Sequence, residues 1–123
     1  MNKIYKDITI VTVLYNSKKS AQSFFNNLEN FRIIVVDNGK NEEILEKIKD
    51  YKNIKIVSKN KNIGYGSAVN FAVRNVTTKF FLILNPDLKI INLIKPLFVI
   101  VEIILQPNLF VVLLTTGVLF LMP

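Results

Sequence analysis

The sequence predicts an α/β fold: a three-layer α/β/α, Rossmann-like domain built on a mainly parallel sheet. Three observations carry that prediction. Short β-branched runs alternate with segments of helical period, which implies strands joined by crossover helices and a sheet covered on both faces. Each strand run is apolar almost throughout, as expected of strands buried on both sides. Polar residues gather directly after three of the runs, at the edge where open α/β sheets bind ligands.

The elements follow in order. Ile8–Tyr15 (ITIVTVLY) reads as the first strand. Asn16 and Ser17 are helix N-cap types, and Ala21, Phe24, Phe25 and Leu28 share one helical face behind them. Phe31–Val36, interrupted only by Arg32, is the second strand and ends at Asp37-Asn38-Gly39. Ile44, Leu45, Ile48 and Tyr51 mark a second helix, and Ile54–Val57 a short third strand. The turn-rich stretch Lys59–Gly66 leads into a helix carrying Ala68, Phe71 and Ala72. Phe80–Leu84 is the fourth strand, closed by Asn85-Pro86-Asp87.

The tail over residues 97–123 differs. Glu102 is its only charge, and length and apolarity alone make it a candidate to cross a membrane. Gln106-Pro107-Asn108 in its middle reads as a turn, and a turn at the centre of a lone span would leave polar groups in hydrocarbon. A helix over about Ile91–Leu105 is therefore expected, then a strand over about Leu109–Leu114 that joins the sheet. One unbroken helix from Leu97 to Leu121 is the competing reading. Apolar surface left over on the tail implies peripheral membrane contact.

Composition narrows the function classes. The 123 residues fit one domain, and half of them are apolar, enough for a core of that size. There is no cysteine, which excludes a disulfide framework and thiolate metal sites and suits a reducing cytoplasm. There is no histidine, so any metal must be held by oxygen, which suits Mg2+ or Mn2+ better than zinc. The formal charge is +7, from 16 Lys and Arg against 9 Asp and Glu, with every cation at or before Lys95. Such a surface suits a phosphorylated ligand, an anionic membrane or plain solvation. Only Arg32 and Arg74 are arginines; base-specific readout uses arginine forks, so no specific nucleic acid partner is expected. The aromatic residues also fall mostly at core-spaced positions instead of forming a stacking surface. Met1–Asp7 is polar and Ile8–Tyr15 too short for a leader core, so a cytoplasmic protein is expected.

Three strand-end groups carry the candidate chemistry. Asp37 ends an apolar strand, where a carboxylate can accept hydrogen bonds from ribose hydroxyls or base N–H groups; taken alone, it reads first as a helix-cap or turn residue. In Asn62-Ile63-Gly64-Tyr65-Gly66-Ser67-Ala68-Val69-Asn70, two glycines permit close backbone approach at a helix start; Val69 fills the third place of G-x-G-x-x-G, so the segment is neither that motif nor a P-loop. In Asn85-Pro86-Asp87 the proline stiffens a turn that presents one carboxylate, a suitable ligand for a hydrated Mg2+ or Mn2+.

Taken together, TVLYNS, IIVVDNG, NKNIGYGSAVNFAV and FFLILNPDLKI resemble the successive signatures of family 2 glycosyltransferases of GT-A fold. The likeness is greatest to the rhamnosyltransferase-like branch, in which N-P-D stands for D-x-D. It covers roughly Ile8 to Pro96, with QPNLFVVL a looser match in the tail. It implies a nucleotide-binding domain of strand order 3-2-1-4 over residues 1–96, followed by the helix-turn-strand tail over 97–123 and incomplete at its C-terminus. It implies a UDP- or dTDP-sugar donor, a divalent cation, and inverting transfer to a cell-surface glycan or lipid-linked acceptor at the cytoplasmic face of the membrane. Tyr15 and Asn16 would line the nucleotide pocket, Asp37 would contact base or ribose, and Asn62, Gly64 and Tyr65 would flank the nucleotide. Asn85 and Asp87 would stand in the D-x-D place, with Asp87 as the metal ligand. Asn85 departs from the aspartate of much of the family, and its amide implies a hydrogen bond in place of a metal bond. The family's acceptor site and catalytic base lie beyond the matched region, and Glu102 is not assigned that role. The competing function is a non-catalytic, membrane-associated nucleotide-binding remnant.

Overall fold

The computed structural model describes residues 5–87, 111–115 and 118–122. Six strands form one sheet: β1 (Ile8–Leu14), β2 (Arg32–Asp37), β3 (Ile54–Ser58), β4 (Phe80–Leu84), β5 (Val111–Thr115) and β6 (Val118–Met122). Their spatial order is β3-β2-β1-β4-β5-β6, and every neighbouring pair through β5 is parallel. The expected order 3-2-1-4 is thus present, extended on the β4 side.

Three helices are described: α1 (Gln22–Asn26), α2 (Glu42–Ile48) and α3 (Tyr65–Val73), with a 3-10 turn at Lys19–Ala21 before α1. They sort onto opposite faces because strand side chains alternate. Ile8, Ile10 and Leu14 of β1 pack with Phe24, Phe25 and Leu28 around α1, and with Ile44 and Ile48 of α2. Val11 and Val13 of the same strand pack with Ala68 and Ala72 of α3. Helices therefore cover both faces, and all seven residues of β1 are buried. The small Ala68 and Ala72 let α3 lie close to the sheet. Glu42 and Glu43 open α2, where negative charge complements the helix dipole.

Two expectations need correction. Asn16 and Ser17 do not cap a helix; α1 starts only at Gln22, after the 3-10 turn. The backbone of Asn16 turns into the left-handed region (φ 51°), and its N–H bonds Gly39 O at 3.0 Å. The loop is fastened to the end of β2 and cannot begin a helix. The expected strand at Leu109–Leu114 appears as β5 and joins the sheet beside β4, but a second tail strand was not foreseen. Only residues 116–117 separate β5 from β6, too few for a parallel crossover, so the pair is antiparallel. These strands overturn one continuous helix reaching Leu121. The expected helix near Ile91–Leu105 and turn at Gln106–Asn108 lie outside the described residues. Among the described residues no helix is long and apolar enough to cross a membrane.

Phe25 is fully buried between the first helical layer and the sheet. Phe25→Ala should destabilise the chain by about 3–5 kcal/mol. Ile56 lies exposed on edge strand β3, and Ile56→Ala should cost less than about 1 kcal/mol. Urea midpoints of the two variants check this; similar losses would contradict the layer assignment.

Candidate functional site

The carboxyl ends of β1, β2 and β3 are in register: Leu14 pairs with Asp37, and Asp37 with Ser58. The chain leaving these ends is held by one buried side chain, Asn41, 1% exposed. Its Nδ2 donates to Leu14 O and to Asp37 Oδ1, both at 2.7 Å, and its Oδ1 accepts the N–H of Ser17 at 2.9 Å. Asp37 Oδ1 also accepts the N–H of Gly39 at 3.1 Å. Asn41 occupies the N-cap of α2 yet makes no capping bond there; its amide is drawn into the sheet edge instead.

A second set of amides joins β2 to α3. Asn38 Nδ2 donates to Asn62 Oδ1 at 3.0 Å, and Asn38 Oδ1 accepts the N–H of Ile63 at 2.9 Å. Asn62 Oδ1 also accepts the N–H of Gly64 at 2.9 Å. Tyr65 follows as the first residue of α3, and its hydroxyl donates to Asn85 Oδ1 at 3.1 Å. Burial raises the Tyr65 pKa above the usual phenol value, so the phenol stays protonated and donating at neutral pH.

These elements enclose a cleft of about 1050 Å³ at the carboxyl edge of the sheet. Of the residues singled out from sequence, Tyr15, Asn16, Asn62, Gly64, Tyr65, Asn85 and Asp87 border it. Asp37 is not among its lining residues, and its Oδ1 is taken up by Gly39 and Asn41 of its own loop. Tyr15 is about half exposed, and its ring lies 4.0 Å from where a Cβ on Gly39 would sit. Ser17, which follows the first strand with Asn16, also borders the cleft, but sequence reasoning missed the rest of the opposite wall, where Lys18, Ser20, Ser23 and Asn27 line it around the 3-10 turn and α1. It also missed the holding role of Asn41. An asparagine before Glu42-Glu43 signals a helix cap, and nothing local reveals that its amide serves a strand end 27 residues earlier.

The cleft's donor set bears on a metal. Asp87 is an exposed carboxylate on its border, and neighbouring Asn85 has its carbonyl oxygen engaged by Tyr65. Among the described residues no three Asp, Glu, His or Cys side chains converge. This chemistry fits a hard cation that takes one protein carboxylate and draws its other ligands from water and phosphate. It does not fit an all-protein cage.

A family profile described as Glycosyl transferase family 2 matches residues 9–92. The teichoic acid poly(glycerol phosphate) polymerase of Staphylococcus epidermidis is 30% identical over 97 residues, an alignment that covers 71% of this chain and 13% of that protein. The chain therefore spans a small part of the length of the curated relative it matches.

The two glycines at the head of α3 are not equivalent. Gly64 has φ 82° and ψ 158°, a conformation essentially confined to glycine. Gly66 lies inside the helix, with open space where a Cβ would project. Gly64→Ala should lower stability by about 1–3 kcal/mol, and Gly66→Ala should raise it by up to about 1 kcal/mol. Denaturant titration distinguishes them; equal shifts of the same sign would refute this difference.

Proposed function

The chain belongs to glycosyl transferase family 2, and from that premise we propose that it binds a nucleotide-diphosphate sugar, UDP- or dTDP-linked, in the cleft at the carboxyl edge of its sheet. The supporting observation is convergence: residues from the ends of β1 and β4 and from the head of α3 border one cleft. Open α/β sheets bind ligands at this edge.

In this reading the half-exposed ring of Tyr15 offers a flat surface to the base. Asp37 uses its second oxygen, Oδ2, to accept from a base N–H or a ribose hydroxyl. Asn85, with its carbonyl taken by Tyr65, turns its NH2 to a phosphate oxygen. Asp87 supplies the carboxylate for Mg2+ or Mn2+. When bound, that cation offsets charge on the departing diphosphate. Inverting transfer requires an acceptor hydroxyl to attack the anomeric carbon in line, with loss of its proton to a base; no described residue is assigned as that base.

The acceptor is proposed to be a cell-surface glycan or a lipid-linked precursor, with the protein in the cytoplasm or at the cytoplasmic face of the membrane. The name of the staphylococcal relative, a teichoic acid poly(glycerol phosphate) polymerase, is in keeping with a part in polymer assembly.

Titration calorimetry of the full chain with UDP and dTDP, with and without Mn2+, tests the reading. Asp87→Ala should abolish the manganese-dependent part of binding and leave weak metal-free binding. Asp37→Asn keeps an oxygen for Gly39 and Asn41 but replaces the ligand-facing acceptor with a donor. It should weaken both nucleotides about ten- to a hundredfold, with or without metal, the scale of a lost charged hydrogen bond. Unchanged affinity and unchanged metal dependence in both variants would remove the site assignment.

A further inference from the structure

Asn38 is 3% exposed, and both polar ends of its side chain are used on one loop. The backbone N–H of Asn38 donates to Leu14 O at 2.8 Å, so the residue is itself fixed to the end of β1. From there the constraint passes outward. Asn62 Oδ1, held by Asn38, in turn holds the N–H of Gly64. Gly64 ends the loop in its glycine-only conformation, and Tyr65 then reaches Asn85 at the end of β4. The start of the loop is held separately, by Ser58 Oγ between Asp37 O and the N–H of Asn60 and by Lys59 over Phe71. Over residues 62–64 the Asn38 amide is joined by Ile63, a partly buried apolar anchor, whereas fixing each backbone residue costs about 1–2 kcal/mol.

We propose that Asn38 is the positioning residue of the cleft: the two ends of its buried amide hold residues 62–65 in the conformation that sets Tyr65 against Asn85. The consequence for nucleotide affinity rests on the donor-site reading above; the ordering of the loop does not.

The role demands a donor and an acceptor on one short side chain. An ionised aspartate has only acceptors and would face the acceptor oxygen of Asn62. Rotating Asn62 to offer its NH2 would strip the Gly64 N–H of its acceptor. A protonated aspartic acid, with one donor and one acceptor, restores the pattern. An acid at position 38 would be buried and next to Asp37 in the chain, just past the end of β2, and both effects raise its pKa. Of the other charged or titratable groups around it, Tyr15, Tyr65 and Asp87 add no positive charge; Lys18 on the far wall and Lys40, Lys59 and Lys61 on the adjoining loops do, but all four are exposed and screened by solvent. Asn38→Asp therefore converts the contact into one that is made in acid and broken in base.

The test is hydrogen exchange of the amides of Ile63 and Gly64 in the full chain, corrected for intrinsic rates, with calorimetry of UDP and dTDP alongside. Asn38→Ala should speed exchange at both amides about tenfold at every pH, with β1 amides unchanged. Asn38→Asp should match Asn38→Ala near about pH 8 and regain protection near about pH 5, while wild-type protection stays constant. Nucleotide affinity should follow the same pH pattern in Asn38→Asp. Wild-type protection of Asn38→Asp near about pH 8, or equal loss at both pH values, overturns the proposal. Protection that switches while nucleotide affinity stays fixed overturns the positioning role towards the ligand. Switching protection in a chain that binds no nucleotide in any form leaves the loop assignment standing and sinks the donor-site reading instead.

Discussion

Strand β1 has sheet partners along both edges and an apolar layer against both faces. A strand so enclosed offers a ligand no polar side chain along its length; of its residues Val13 alone borders the cleft. Even Thr12 is fully buried, with no partner for its hydroxyl among the described residues. Polar chemistry can begin only where the chain leaves the sheet after Leu14, and the loops that follow β2, β3 and β4 must come to that same edge. The cleft is a consequence of this burial: the apolar run sets the sheet, and the sheet's edge gathers the polar residues.

Neutral amides hold that edge together. Asn41 ties the ends of β1 and β2 to the Asn16–Ser17 loop, and Asn38 with Asn62 ties β2 to the head of α3. An asparagine suits these places because it both donates and accepts and carries no charge to desolvate. Each such bond contributes only about 0.5–1.5 kcal/mol net, but leaving a buried group unmatched costs about 1–3 kcal/mol. The arrangement is therefore closely specified: one wrong amide disturbs several backbone groups at once. The left-handed turns at Asn16, Gly39, Lys40 and Gly64 lie along the same seam, where loops are bent to meet each other.

The charge at the cleft is sparse. Asp87 is its bordering carboxylate and Lys18 its bordering lysine, and the remaining polar lining consists of hydroxyls and amides. For a ligand that carries its own negative charge, a largely neutral hydrogen-bonding wall limits like-charge repulsion. The Tyr65–Asn85 bond fits the same pattern, since it joins two uncharged groups and engages the amide oxygen of Asn85. An amide at position 85 thus has a partner for its oxygen in the Tyr65 hydroxyl.

The sequence by itself determined the layers. The runs Ile8–Leu14, Arg32–Asp37 and Phe80–Leu84 were legible because burial on both faces demands continuous apolar residues, the edge strand Ile54–Ser58 from its β-branched residues, and the polar groups behind the runs marked the functional edge. The tail strand was legible from the Gln106-Pro107-Asn108 turn signal ahead of an apolar run. The partners of side chains at the edge were not legible. Asn16 and Asn41 both read locally as helix caps, yet one bends left-handed to meet Gly39 and the other reaches back to Leu14. Asp37 read as a group open to ligand, yet one of its oxygens is committed to Asn41 and Gly39. Only the tertiary structure decided these matters, because hydropathy periodicity is a property of neighbouring residues, whereas an amide's partner depends on which loops the packed sheet brings within about 3 Å of it.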